Sequence, residues 1–207
     1  MSKSKKSNVQ NIYGLSPMQH GMLFHAVMDE TSPAYVEQTV MTLSGEVDAG
    51  AFKQAFQQLI DRYDILRTVF VYKTTKTPRQ VVLKEQDADF KFTDISGMPP
   101  SEVKTYLDSF SRDDRERGFN LTKGPLMRLA LFKESDERCH LVWSFHHILM
   151  DGWCLGILFK CFSRYYGSLT GTSSPPMSKV AQYGRYIKWL DNQDKKDGLD
   201  FWGKYLN

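Results

Sequence analysis

The segment from Arg138 to Tyr166 constrains the fold more than any other part of the chain. Arg138–His146 is dominated by apolar and aromatic residues and reads as a strand. Leu126–Lys133 reads as a second strand, and the polar tetrapeptide Glu134-Ser135-Asp136-Glu137 between them predicts a hairpin. Beyond Gly152, Leu155, Leu158, Phe159, Phe162, Tyr165 and Tyr166 recur at helical spacing. A hairpin that runs within a few residues into a one-faced helix must bury that face on the sheet. The segment therefore predicts layered α/β structure.

The flanking sequence repeats this mixture. Ser16, Pro17 and Gln19 stand where an N-cap, a first helical proline and a capping-box partner belong, and Met22, Leu23 and Ala26 follow at helical spacing. Tyr35–Leu43 reads as a strand closed by Gly45, and Asp48 can cap a helix whose face is Phe52, Ala55, Phe56, Leu59, Ile60 and Tyr63. Strands over Leu66–Tyr72 and Gln80–Lys84 follow, then a charged helix over Ser101–Arg117 that Gly118 stops. Residues 171–176 (Gly-Thr-Ser-Ser-Pro-Pro) form a linker, with helical segments around Tyr183–Leu190 and Leu199–Leu206 after it. The expected fold is an α/β two-layer sandwich of the α+β kind, a mixed sheet flanked by helices, without internal repeats. Its expected parts are a flexible lead-in over 1–14, a main lobe over 15–169, a linker over 170–178 and further helices over 179–207.

Composition removes several classes of function. A hydrophobic fraction of 41% with 25% charged residues supports a packed core and argues against disorder. The net charge of +3 is spread along the chain, apart from Lys3, Lys5 and Lys6, so a nucleic-acid binder is not expected. No apolar run reaches membrane-spanning length, and no apolar stretch follows the N-terminal lysines as a secretory signal requires. The three cysteines, Cys139, Cys154 and Cys161, lack metal-ligand spacing and read as reduced thiols of a cytoplasmic protein.

The candidate chemistry lies at the strand–helix junction, His146-His147-Ile148-Leu149-Met150-Asp151-Gly152. Strand parity places the two histidines on opposite faces, so they do not readily chelate one metal, and no bound metal is expected. One histidine is expected to face a reaction channel while the other packs into the structure. A histidine there can act as general base. Asp151 can orient it or pair with an arginine, and Gly152 lets backbone approach a substrate. Backbone N–H groups opening the next helix can face an oxyanion. The chain has neither a Gly-x-Ser-x-Gly elbow nor a phosphate-binding glycine loop, so serine hydrolysis and ATP-driven activation are not expected. A base without a protein nucleophile suits direct acyl transfer between two bound substrates.

The same residues resemble the HHxxxDG signature of nonribosomal peptide synthetase condensation domains and their acyltransferase relatives. Three further segments resemble that family's motifs in its order. Leu15–His25 is similar to the opening motif, with His20 in place of Glu. Asp61–Phe70 is similar to RHExLRTxF, with Tyr63 and Asp64 in place of His and Glu. Tyr183–Leu190 is similar to YxDYxxWL, with Arg185 in place of Asp. The resemblance implies a chloramphenicol acetyltransferase-like lobe that forms amide bonds. His147 assists attack of an acceptor amine on a donor thioester, with His146, Asp151 and Gly152 in support. Asp151 is held by an arginine of the second motif, Arg62 first and Arg67 as the alternative. No cofactor is bound directly; phosphopantetheine arms of donor and acceptor carrier proteins deliver the substrates.

The resemblance also implies that a second, C-terminal lobe is missing beyond Asn207. This chain alone is then expected to be inactive, and Trp153, Trp189 and Trp202 are expected to leave apolar surface where that lobe docks. Trp202 resembles a residue of a YWxxYL segment and, on a helix with Phe201, Tyr205 and Leu206, is expected to serve core packing rather than chemistry. Only a short polar lead stands before the first motif in this sequence, and an upstream carrier on a separate protein is therefore expected. By resemblance, the lead-in together with Ser16, Pro17, Met18 and Gln19 forms an acceptor for a docking helix of an upstream synthetase. The alternatives are a docking module only, an epimerisation lobe, or a lobe of a CoA-dependent acyltransferase.

Overall fold

The computed structural model describes residues 7–29, 32–172 and 178–206. Lys3, Lys5, Lys6 and residues 173–177 of the expected linker lie outside the described residues. The main sheet has four strands in the order β2 (Val36–Ser44), β7 (Arg138–His146), β6 (Met127–Ser135), β5 (Asp89–Asp94). The β2–β7 and β6–β7 pairings are antiparallel and β5–β6 is parallel, so the sheet is mixed as expected.

Alternation along β7 decides which helix covers which face. Cys139, Leu141, Trp143 and Phe145 point to one side. There they meet α2 (Ala49–Arg62) and α4 (Gly152–Leu169) through Phe56, Phe159 and Phe162, with Trp143 fully buried among them. Val142 points the other way, with Ala130 and Phe132 of β6, against Val103 and Leu107 of α3 (Pro100–Arg117). The α/β sandwich is therefore present, and α3 additionally covers its reverse face.

A second sheet, β1 (Val9–Tyr13), β4 (Arg79–Leu83) and β3 (Thr68–Val71), is antiparallel throughout. It corrects the expectation of a flexible lead-in over 1–14, because Val9–Tyr13 is a strand paired with β4. The strand expected at Leu66 starts at Thr68, since Asp64–Arg67 forms a 3-10 turn. Arg67 fixes this corner. It donates to the carbonyls of Leu83, Ile60 and Asp61, to Gln10 and to the Asp64 carboxylate at 2.9 Å.

Helix boundaries obey local rules. Ser16 and Gln19 form a reciprocal capping box at the start of α1 (Pro17–Met28), and Asp48 caps α2. Gly118 at φ 60 stops α3, in a conformation that favours glycine. Two helices, α5 (Tyr183–Asp191) and α6 (Lys195–Tyr205), follow the linker. Trp202 on α6 is 55% exposed and contacts the rings of Phe201 and Tyr205 on its own helix, so the expectation that it packs in the core is corrected. No helix among the described residues is long and apolar enough to cross a membrane.

Candidate active site

Strand β7 ends at His146, and the chain turns at once. The His147 N–H donates to the Tyr35 carbonyl at 2.8 Å, and the Leu149 N–H to the His146 carbonyl at 3.1 Å. The turn sends the two imidazoles to different places. His146 is buried between the rings of Tyr35 and Phe119. Its Nδ1 accepts the Ile148 N–H at 3.1 Å, so the proton of the neutral ring resides on Nε2. Burial, with a smaller contribution from neighbouring His147, pushes its pKa down to about 4.

That depression has a pH consequence. The unfolded chain protonates His146 below its ordinary value while the folded chain resists, so the unfolded state binds more protons in between. Stability is expected to fall by up to about 3 kcal/mol as pH drops from 6.5 toward 4 through this group. Urea unfolding of the native chain and of His146→Gln across this range checks it. The variant should lack that part of the slope.

His147 faces the opposite way, into a cavity of about 450 Å³ bounded by α1, α4, α5 and the corner after α2. Met18, Met22, Tyr63, Ile157 and Tyr183 contribute its wall. The His147 Nδ1 is buried and has no hydrogen-bond partner among the described residues. One histidine thus packs into the structure and the other lines a cavity.

Among the described residues Asp151 pairs with no arginine. It is the N-cap of α4, and its carboxylate accepts the N–H groups of Trp153 at 3.1 Å and Cys154 at 3.3 Å. Arg62, the first expectation, donates to the Ser178 carbonyl and stacks over Tyr63, while Arg67 is committed to the buried corner with Asp64. The capping also occupies two of the N–H groups expected to face an oxyanion. Gly152 is exposed, and a Cβ built on it meets nothing within 4 Å.

The residues named for docking also separate. Pro17 and Met18 are exposed, but Ser16 and Gln19 are 4% and 3% exposed and unavailable to a docked helix. Gln19 instead braces the active-site turn. Its side-chain amide donates to the Ile148 carbonyl at 3.2 Å and exchanges hydrogen bonds with fully buried Gln80, which also donates to the Gly14 carbonyl. Sequence reasoning missed Gln80; a glutamine inside an apolar strand run was the available signal. Gln80→Leu is expected to cost about 1–3 kcal/mol in urea unfolding, because it strands Gln19 and the Gly14 carbonyl in the interior.

A sequence profile of the condensation domain matches residues 9–207. The chain belongs to the condensation-domain family. It is 42% identical over 206 residues to tyrocidine synthase 2 of Brevibacillus parabrevis, covering 100% of this chain and 6% of that protein. It is 41% identical over 206 residues to gramicidin S synthase 2 of Brevibacillus brevis, covering 100% and 5%. Among solved structures it resembles the starter condensation domain of a rhizomide synthetase, with a TM-score of 0.79 and 22% identity over 88% of this chain and 45% of that one. The first condensation domain of the calcium-dependent antibiotic synthetase gives 0.78 and 17%, over 88% and 43%. These two likenesses are of fold, the chloramphenicol acetyltransferase-like fold that the motifs implied. This condensation-domain chain spans less than half of either solved chain and under a tenth of either synthase.

Proposed function

We propose that this chain carries the His147 wall of a site that forms amide bonds between two carrier-borne substrates in nonribosomal peptide synthesis. The observation that carries the reading is the isolation of His147 at the cavity, with His146 held neutral behind it. A donor peptidyl or aminoacyl thioester and an acceptor aminoacyl thioester meet there, each on a phosphopantetheine arm. His147 positions the acceptor amine and takes up its proton as the amine attacks the thioester carbonyl and the donor thiolate leaves.

Cys154 is the one thiol on the cavity wall, and burial raises its pKa above the ordinary thiol value. A protonated thiol is a poor nucleophile. Direct transfer is therefore favoured over an acyl-enzyme intermediate.

The remainder of a condensation domain is proposed to close the cavity. Trp153 is 90% exposed and Ile157 is 59% exposed on α4, and Trp189 adds a third apolar group on α5. The test joins this chain to that remainder and supplies two loaded carriers. Dipeptide formation with native His147 and with Cys154→Ser supports the reading. An acyl adduct on Cys154, detected by intact mass, contradicts it.

A further inference from the structure

The His147 ring lacks a support that a general base in a folded site ordinarily has. Such a base is usually oriented by a third group bonded to its second nitrogen. The His147 Nδ1 is buried and meets no hydrogen-bond partner among the described residues. The direction of the ring is therefore set by packing and by the backbone of the turn from which it departs. That backbone is held at the next residue.

Ile148 is fixed at both of its polar groups. Its N–H donates to the His146 Nδ1 at 3.1 Å, and its carbonyl accepts from the Gln19 amide at 3.2 Å. Gln19 is itself held by others. Its oxygen accepts the Ser16 N–H at 3.0 Å and the Gln80 amide at 3.1 Å, while its nitrogen also donates to the Gln80 oxygen at 3.3 Å. Gln80 donates in addition to the Gly14 carbonyl. Each amide nitrogen carries two N–H groups, and all of them are engaged. Turning either carboxamide over would set like groups against each other, so both are fixed in direction. The Ile148 carbonyl thus receives a donor whose aim depends on Gln80.

Gln80 suits the fixed end of this chain of contacts. It is fully buried in β4, the middle strand of the second sheet, opposite Tyr13 of β1 and Phe70 of β3. It is absent from the wall of the His147 cavity, where Gln19 is present. A glutamine there carries a desolvation cost that an apolar residue of its size avoids. Its hydrogen bonds tie the start of α1 and, through Gln19, the active-site turn to the sheet. We infer that Gln80 is a positioning residue for the reaction: the Gln80–Gln19 pair holds the turn at Ile148 and so aims the His147 ring. The inference rests on the acyl-transfer reading for what His147 does, and on geometry alone for what holds it.

The test uses Gln80→Met, which keeps the side chain's length and removes its N–H donors. Gln80→Asn, which keeps the amide but shortens its reach, should fall between native and Gln80→Met. Val82→Ala is the control, because it empties an equally buried position of the same strand without touching the amide pair. In the chain itself, nuclear magnetic resonance follows the His147 ring signals, identified by their loss in His147→Ala. Gln80→Met should shift or broaden them while leaving those of His140, which Glu134 and Thr42 hold on the hairpin. Val82→Ala should move neither.

A kinetic arm uses the chain joined to the rest of its domain, with both carriers loaded, at a temperature where every form is folded. Gln80→Met should lower kcat about ten- to a hundredfold at unchanged KM, and Val82→Ala should keep the native rate. Native-rate turnover by Gln80→Met, a rise in KM alone, an equal loss in Val82→Ala, or undisturbed His147 signals overturns the proposal. If Gln80→Met moves the His147 signals but no form, native included, makes peptide, the acyl-transfer reading fails and the positioning of the ring stands.

Discussion

Asp114→Ala is expected to lower the unfolding free energy by about 3–5 kcal/mol, the largest stability loss predicted for a polar side chain here. Asp114 lies on α3 against the reverse face of the main sheet, where its side chain and that of Arg128 are 6% and 7% exposed. Its carboxylate accepts from Arg128 Nε at 2.6 Å, Ser144 Oγ at 2.6 Å and Gln38 at 3.3 Å. Strands β2, β6 and β7 are thus tied to one carboxylate. Burial already lowers the Arg128 pKa from its ordinary value, opposed by Asp114, so removing the partner leaves a desolvated cation. Asp114→Asn retains acceptors and should lose less. Urea denaturation of the three proteins measures this, and a loss below about 1 kcal/mol for Asp114→Ala contradicts the assignment.

Two residues beyond Ser144 lies His146, so the network also anchors the strand end from which the active-site turn departs. Nothing in the sequence marked it. Asp114 is one of many charges on α3, Arg128 is one basic residue in an apolar strand, and only the fold brings them together. The same limit hid β1 and β5. Val9–Tyr13 is polar enough to read as a tail, and its strand character depends on pairing with β4 far along the chain. Phe90 and Phe92 alternate visibly, yet the parallel partner β6 is equally remote.

What was legible followed from local rules. Ser16, Asp48 and Gly118 end or begin their helices as capping chemistry requires, and parity separated His146 from His147. Asp151 shows where local rules and family resemblance diverge. A carboxylate just ahead of a helix can satisfy its oxygens from the first N–H groups or from an arginine. Here the helix N-terminus has taken it, leaving Arg62 directed elsewhere. Ser16 and Gln19 diverge similarly: a helix start resembling a docking surface is also an internal brace.

The largest functional effect is expected at His147. Its imidazole is the only one among the cavity's wall residues. Removing a positioned general acid–base group costs about 10²–10⁴ in rate, and the loss should fall on kcat. His146→Gln should chiefly affect stability, because that ring faces away from the cavity and spends its Nδ1 on the Ile148 N–H. The contrast separates chemistry from support of the turn.

The most direct measurement is single-turnover dipeptide formation by this chain joined to the rest of its domain, with both carriers loaded and saturating. His147→Ala is expected to slow the step at least about a hundredfold while its unfolding midpoint stays at the native value. Native-rate peptide formation by folded His147→Ala would contradict it.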